Sequence, residues 1–192
     1  MIFNLYLNFV YKTSKINFIE QGKKIDYNNS IIGFWHGESC CNYLICKHFK
    51  DKAIDIIVTE DKRGDYISNI LEKYKVTPLR VGDGCRAKDK LREIITTAQI
   101  PNRIFMVALD GPLGPYHVPK KLAFMLSNKS NKQLGIIRTD VKRKIILKRW
   151  DKYIIPLPFN NITFNIEGND IISNEFLNNF KYIQEMGYTI KG

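Results

Sequence analysis

The sequence predicts an α/β domain with a mixed, largely parallel sheet flanked by helices. Two observations carry this. Short apolar runs of five to seven residues, rich in β-branched and aromatic side chains, alternate with amphipathic stretches at helical spacing. That alternation favours parallel strands joined by right-handed helical crossovers. A third observation bounds the answer: 192 residues with 44% hydrophobic and 26% charged content are one ordinary globular domain, 1–192.

The elements follow in order. Residues 1–14 form an amphipathic helix with Ile2, Phe3, Leu5, Tyr6, Phe9 and Val10 as its apolar residues. It suits either packing on the sheet or facing a membrane. It is short, broken by Asn4 and Asn8, and lacks the basic start and small-residue cleavage site of a signal peptide. Strands are expected at 31–35, 54–58, 76–80, 103–109 and 134–138. A helix over 64–75 aligns Ile67, Ile70, Leu71 and Tyr74, and one over 86–98 aligns Leu91, Ile94, Ile95 and Ala98. A helix over 119–129 starts at Pro119, a good first helical residue. Residues 144–150 and 162–167 read as strands with no helix between them, hence edge or antiparallel strands. Residues 173–187 suggest a terminal helix.

Composition narrows the function. No apolar run reaches the ~18 residues that span a bilayer. The net charge of +11 points to an acidic partner: nucleic acid, an anionic membrane surface or a phosphorylated substrate. Abundant Ile, Asn and Lys together also fit coding DNA poor in G and C. No recognition-helix, RRM, KH or zinc-finger pattern is present, which disfavours nucleic acid. Cys40, Cys41, Cys46 and His48 match no paired zinc-ligand spacing, so these thiols read as reduced, small core residues and no metal is expected.

Ligand sites of open α/β sheets form where strands give way to helices. Three such junctions carry unusual residues. At Trp35-His36-Gly37-Glu38, an imidazole directly follows a buried strand, placed either to move protons or to cap the helix that follows. At Asp110-Gly111-Pro112-Leu113-Gly114-Pro115, a rigid turn carries a carboxylate able to orient a histidine, bind a cation or simply cap. At Arg80-Val81-Gly82-Asp83-Gly84, with Arg86 beyond, backbone N–H groups and guanidinium forks suit a phosphate, although the P-loop and GxGxxG spacings are absent.

In this order the pieces resemble the bacterial domain of unknown function 374, within the lysophospholipid acyltransferase-like superfamily. They are FWHGE at 34–38, TEDKRGDYISNILEKYKV at 59–76, Arg80, DGPLGP at 110–115 and LKRWDKYIIPLPF at 147–159, spanning about residues 5–170. The resemblance implies a glycerol-phosphate-acyltransferase-type fold, peripheral at the cytoplasmic face of the inner membrane. It implies transfer of a fatty acyl group from coenzyme A or acyl-carrier protein, as co-substrate and without a bound cofactor, to a hydroxyl of a lysophospholipid or related lipid.

Carried over residue by residue, His36 is the catalytic base, with Asp110 or Glu38 as its acid partner. Arg80, Arg86, Gly111, Lys120 and Lys121 bind the acceptor phosphate. The chain departs from the pattern at Cys41, which stands where the superfamily usually has an acid five residues after the histidine, and at Leu113 and Arg63. The competing expectations are a non-catalytic module binding anionic lipid or nucleic acid, and a metal-dependent transferase using Asp110.

Overall fold

The computed structural model describes residues 2–60, 64–65, 68, 71, 74, 76–81, 87–111 and 113–181. The elements are α1 (Ile2–Thr13), β1 (Lys15–Gly22), β2 (Ser30–Phe34), a 3₁₀ helix (His36–Cys41), α2 (Asn42–His48), β3 (Ile54–Thr59) and β4 (Val76–Val81). They continue with α3 (Ala87–Gln99), β5 (Ile104–Ala108), α4 (Lys121–Ser130), β6 (Gln133–Val141), β7 (Lys144–Ile146), β8 (Ile154–Pro156), β9 (Asn161–Asn169) and α5 (Asn174–Asn178).

Seven strands form one sheet in the order β1-β9-β6-β2-β5-β3-β4. β6, β2, β5, β3 and β4 run parallel. β9 runs antiparallel to β6, and β1 pairs parallel with β9. The sheet is therefore mixed and largely parallel.

β2 lies at its centre, and all five of its residues are buried. A strand covered on both faces can be apolar throughout, which is why SIIGF shows no polar alternation. Its side chains divide between two cores. Ile32 and Phe34 pack with Leu7 and Val10 of α1 and Leu44 and Ile45 of α2. Ile31 and Trp35 pack with Ile94 and Ala98 of α3 and Ala123, Phe124 and Leu126 of α4. The helix over 119–129 begins two residues late and ends at Asn131, whose left-handed backbone (φ 55°) lets its N–H reach back to Asn128.

β8 has no counterpart in the sequence expectation, which gave the 3₁₀ helix and α2 no range, and two further elements differ from it. β1 has no counterpart in it. This edge strand is mostly half-exposed or exposed, so its apolar pattern is weak, and it owes its place to eight parallel partners in β9, some 146 residues on. The strand over 144–150 is cut to three residues. β7 leaves the main sheet, pairs antiparallel with β8 and gives way to a turn at 147–153. That turn closes locally, with Leu147 donating to Tyr153 (2.9 Å) and Lys152 to Arg149 (3.1 Å). Of the helix over 64–75, Gly64, Asp65, Ser68 and Leu71 are helical, and its other positions apart from Tyr74 lie outside the described residues. Of the terminal helix, 174–178 is observed, and everything beyond 181 lies outside them.

Candidate active site

The site is built at the carboxyl end of β2. Phe34 pairs with Ala108 of β5, and Leu109 donates to the Phe34 carbonyl at 2.8 Å. This register carries the two chains out of the sheet side by side. Two residues past each strand, His36 N–H donates to Asp110 Oδ1 at 2.9 Å. Asp110 is fully buried, and its other oxygen has no partner among the described residues. Burial raises its pKa. Asp110 thus fixes the backbone at His36 and does not hold the imidazole.

The carboxylate on the imidazole comes from elsewhere. His36 Nδ1 lies 2.8 Å from Asp151 Oδ2, in the turn between β7 and β8. Asp151 is fully buried, and the same oxygen accepts from Arg149 at 2.9 Å. The Trp150 ring sits 5.4 Å from the His36 ring. A close approach of backbones seats this turn. A Cβ on Gly37 would overlap the Asp151 carbonyl oxygen, so only glycine fits at that position. Gly114, with φ +70°, likewise makes room for Trp150. The His-Gly and Gly-Pro junctions are therefore shaped to receive the Trp-Asp turn. In the neutral ring, a proton on Nδ1 directed at the carboxylate leaves the lone pair on Nε2. Nε2 has no partner among the described residues, and the side chain is 29% exposed.

Glu38 corrects a second expectation. Its Oε2 accepts from Thr139 N–H at 2.6 Å, which ties the 3₁₀ helix to β6 rather than to the imidazole. Burial pushes its pKa up to about 7, against the lowering effects of the Thr139 contact and Arg138. His117 Nε2 is 3.6 Å from Glu38, too far for a hydrogen bond. Burial first, then the cations Arg138 and Lys152, push His117 down to about 4. It is neutral at pH 7, so the two groups are not an ion pair. His117 is instead a wall of the site, stacked on Tyr116 (4.0 Å) and leaning on Trp35 (4.4 Å), while Lys152 covers the Tyr116 ring at 4.5 Å.

The raised Glu38 pKa fixes the sign of a pH effect. Native Glu38 keeps its proton to about pH 7, whereas its ordinary value is 4.5. The native state then binds more protons across that window, and stability falls as pH rises through it. Glu38→Gln keeps an acceptor for Thr139 and removes this slope. Its stability relative to wild type is expected to increase between pH 5 and 8, by roughly 3 kcal/mol at most. Urea unfolding of both proteins at each pH checks this.

The remaining expected residues are dispersed. Gly111 takes φ +64° at the turn that Lys120 closes by donating to Leu109 (2.6 Å). Lys120 and Lys121 are exposed at the start of α4, and Leu113 stands out at 89% exposure. Arg80 lies on edge strand β4, three strands from β2, roughly 14 Å across the sheet. It bonds Asp65 (2.5 Å) and Ser68 (3.1 Å), and the structure does not bring it to His36. Arg86 and Arg63 lie outside the described residues. Cys41 is fully buried, and burial holds its thiol well above the ordinary range. The position five after His36 therefore points into the core, where an acid would be stranded. No group of three or more His, Cys, Asp or Glu among the described residues is arranged to hold a metal.

Asp151 and Arg149 are the residues that sequence reasoning missed. The stretch LKRWDKYIIPLPF stood out, yet nothing in its local pattern ties it to a histidine 115 positions earlier.

Comparison with known proteins agrees with the architecture. No family model matches the chain. It is 26% identical over 162 residues to an uncharacterized protein, RP090, of Rickettsia prowazekii (strain Madrid E), covering 82% of this chain and 73% of that one. The crystal structure of the 1-acyl-sn-glycerophosphate (LPA) acyltransferase PlsC from Thermotoga maritima is similar over 95% of this chain and 74% of its own, with a TM-score of 0.56 and 20% identity. At that identity the likeness is one of fold: the chain has an acyltransferase-like fold, a mixed and mostly parallel sheet flanked by helices.

Proposed function

We propose that this protein is an O-acyltransferase. It moves a fatty acyl group from an acyl-carrier-protein or coenzyme A thioester to a hydroxyl of a lysophospholipid or related lipid. The observation that carries the reading is the His36–Asp151 pair at the mouth of the central strand, with Nε2 unpartnered among the described residues. The acyltransferase-like fold supports it.

The chemistry needs one base. As the acceptor oxygen attacks the thioester carbonyl carbon, its proton passes to His36 Nε2. The carbon–sulfur bond breaks, and the same proton passes to the departing thiolate, leaving an ester and a free thiol. Asp151 favours the tautomer with its proton on Nδ1 and stabilises the imidazolium that forms between the two transfers. No covalent acyl-enzyme is required. On this reading Gly111, Lys120 and Lys121 flank the acceptor phosphate, while Arg80 serves a more distant part of the substrate.

Purified protein is incubated with radiolabelled acyl-carrier-protein and coenzyme A thioesters and a panel of lysolipids, beside His36→Ala. The expected result is transfer to one acceptor class that falls to background in the variant. Transfer to no acceptor, or equal transfer by the variant, overturns the reading. A product that requires a divalent ion would point to the metal-dependent alternative.

A further inference from the structure

Two buried hydrogen-bond donors stand side by side at the mouth of the sheet with nothing to donate to. Among the described residues, neither Trp35 Nε1 nor Arg138 Nε has a partner. The sheet register brings them together. Phe34 of β2 pairs with Ile137 of β6, and Trp35 keeps an extended backbone (φ −88°, ψ 136°), so the next pair along is Trp35 and Arg138. Neighbouring strands lie about 4.8 Å apart. Both side chains leave the same face. Trp35 and, on β6, Leu134 and Ile136 belong to the core under α3 and α4, and Arg138 continues that alternation.

Arg138 is also a cation without a carboxylate. It lowers the pKa of Glu38 and Glu167 and helps to hold His117 down, so it sits among these three groups. Yet no Asp or Glu among the described residues comes within 4 Å of it. Glu38 Oε2 is taken up by Thr139 N–H at 2.6 Å, and Glu167 lies on β9 opposite Ile136. Arg138 itself is half-buried. An unpaired charge withdrawn from water costs free energy that an incoming anion recovers.

The surroundings suit an anion. α4 packs on the same face, and Lys120 at its start makes no side-chain cap, so the first N–H groups of the helix stay free for a ligand. Arg138 stands one strand over from His36, whereas Arg80 is three strands from β2. We infer that Arg138, with the Trp35 indole N–H beside it, binds the phosphate of the acyl acceptor and sets the preference for a phosphorylated lipid. This inference rests on the acyltransferase reading and deepens it. The acceptor is the source of the phosphate for a reason of reach. In a lysophospholipid the phosphate is a few bonds from the hydroxyl that gives its proton to His36. The phosphates of coenzyme A lie at the far end of the pantetheine arm, away from the reacting thioester.

The test is calorimetric binding to the full chain, without acyl donor, of hexanoyl lysophosphatidate and of monohexanoylglycerol, which lacks the phosphate. Wild type is expected to prefer the phosphorylated lipid. Arg138→Gln should weaken its binding about 10–100-fold, as expected for losing charge-assisted hydrogen bonds, and leave monohexanoylglycerol unaffected. Arg138→Lys keeps the charge but loses the planar fork, so it should recover only part of the loss. Lys129→Gln changes an exposed lysine at the other end of α4 and should bind as wild type does, which separates a contact from diffuse attraction. In proton–nitrogen correlation spectra the lysophosphatidate should move the Trp35 indole N–H signal of wild type and not that of Arg138→Gln.

In transfer assays Arg138→Gln should raise the acceptor KM by a similar factor, with kcat and the thioester KM little changed. Its unfolding midpoint should stay level or rise, because Arg138 has no carboxylate in the described protein to lose. The inference is overturned if wild type shows no preference for the phosphorylated lipid, or if Arg138→Gln binds that lipid as wild type does. It is equally overturned if the thioester KM rises in place of the acceptor KM, or if the variant loses stability and keeps its phosphate preference. A wild type that binds as expected but transfers nothing would sink the acyltransferase reading and leave the phosphate contact standing.

Discussion

Replacing Asp151 by Asn is expected to lower kcat for acyl transfer by about 10³–10⁴-fold with little change in the KM of donor or acceptor. The change is nearly isosteric, but Arg149 and Nδ1 meet the same oxygen, Oδ2, so an amide nitrogen placed there to serve Nδ1 costs the partly exposed Arg149 its acceptor. What is lost is the preference for a proton on Nδ1. An asparagine amide that donates to Nδ1 leaves the proton on Nε2, where it blocks removal of a proton from the acceptor. Even with the correct tautomer, the imidazolium formed during transfer faces a neutral group in place of a carboxylate. Asp151 is fully buried, so water does not substitute for it.

Asp151 acts through His36, and its test must move something that a packing role would not. The drop should fall on kcat rather than KM. The limb of the pH–rate profile that reports the histidine should shift, and the deshielded Nδ1–H proton signal should disappear, while the unfolding midpoint changes little. An Asp151→Asn enzyme with wild-type kcat would remove the carboxylate from the mechanism.

Replacing Asp55 by Ala is expected to cost about 3–5 kcal/mol of stability, measured as the midpoint of urea unfolding. For a chain of this size, this corresponds to a fall of roughly 10–15 °C in Tm. Asp55 lies on β3, at the end of the sheet opposite His36, and is 2% exposed. It accepts from Arg103 Nε and from Arg103 Nη2, both at 2.6 Å, in a two-pronged pair. Arg103 also donates to Thr77 at 3.0 Å.

Close by is a second buried cation. Lys132 is 2% exposed, and its Nζ donates to the carbonyls of Ile100 (2.6 Å) and Arg103 (3.3 Å). Burial lowers its pKa and the Asp55 charge opposes that lowering. Removing the one carboxylate leaves two cations facing each other in a poorly solvated place. The double variant Asp55→Ala, Arg103→Met should recover part of the loss, since it removes one stranded charge. A single variant within 1 kcal/mol of wild type would show that the network has little energetic weight. Acyl transfer at a temperature where the variant is folded should be unaffected, because this cluster lies at the other end of the strands.

Much of the architecture is legible from residue order, because it rests on local rules. A run such as IIGFW is too apolar to lie anywhere but inside a covered sheet, and the spacing of Leu91, Ile94, Ile95 and Ala98 holds on a helix whatever surrounds it. His36 was legible for the same reason: the residue that leaves a buried strand beside a glycine stands at the sheet's mouth. Local rules fail at β1, whose pairing partner is the far end of the chain, and at 144–150, where the pattern suits a strand but the turn folds away onto His36.

The partner of the imidazole belongs to that second kind of fact. From sequence, Asp110 and Glu38 were the nearer carboxylates, yet one holds the His36 backbone and the other holds Thr139. Which acid meets the ring depends on the β7–β8 ribbon reaching across the mouth and on Gly37 and Gly114 yielding the space for it. The sequence alone determined that this chain folds as a largely parallel α/β sheet with a histidine at its rim. Only the tertiary structure decided that Asp151 steers that histidine. Hydrophobic periodicity acts over a few residues, whereas a hydrogen bond between side chains 115 positions apart exists only after the whole sheet has set their distance.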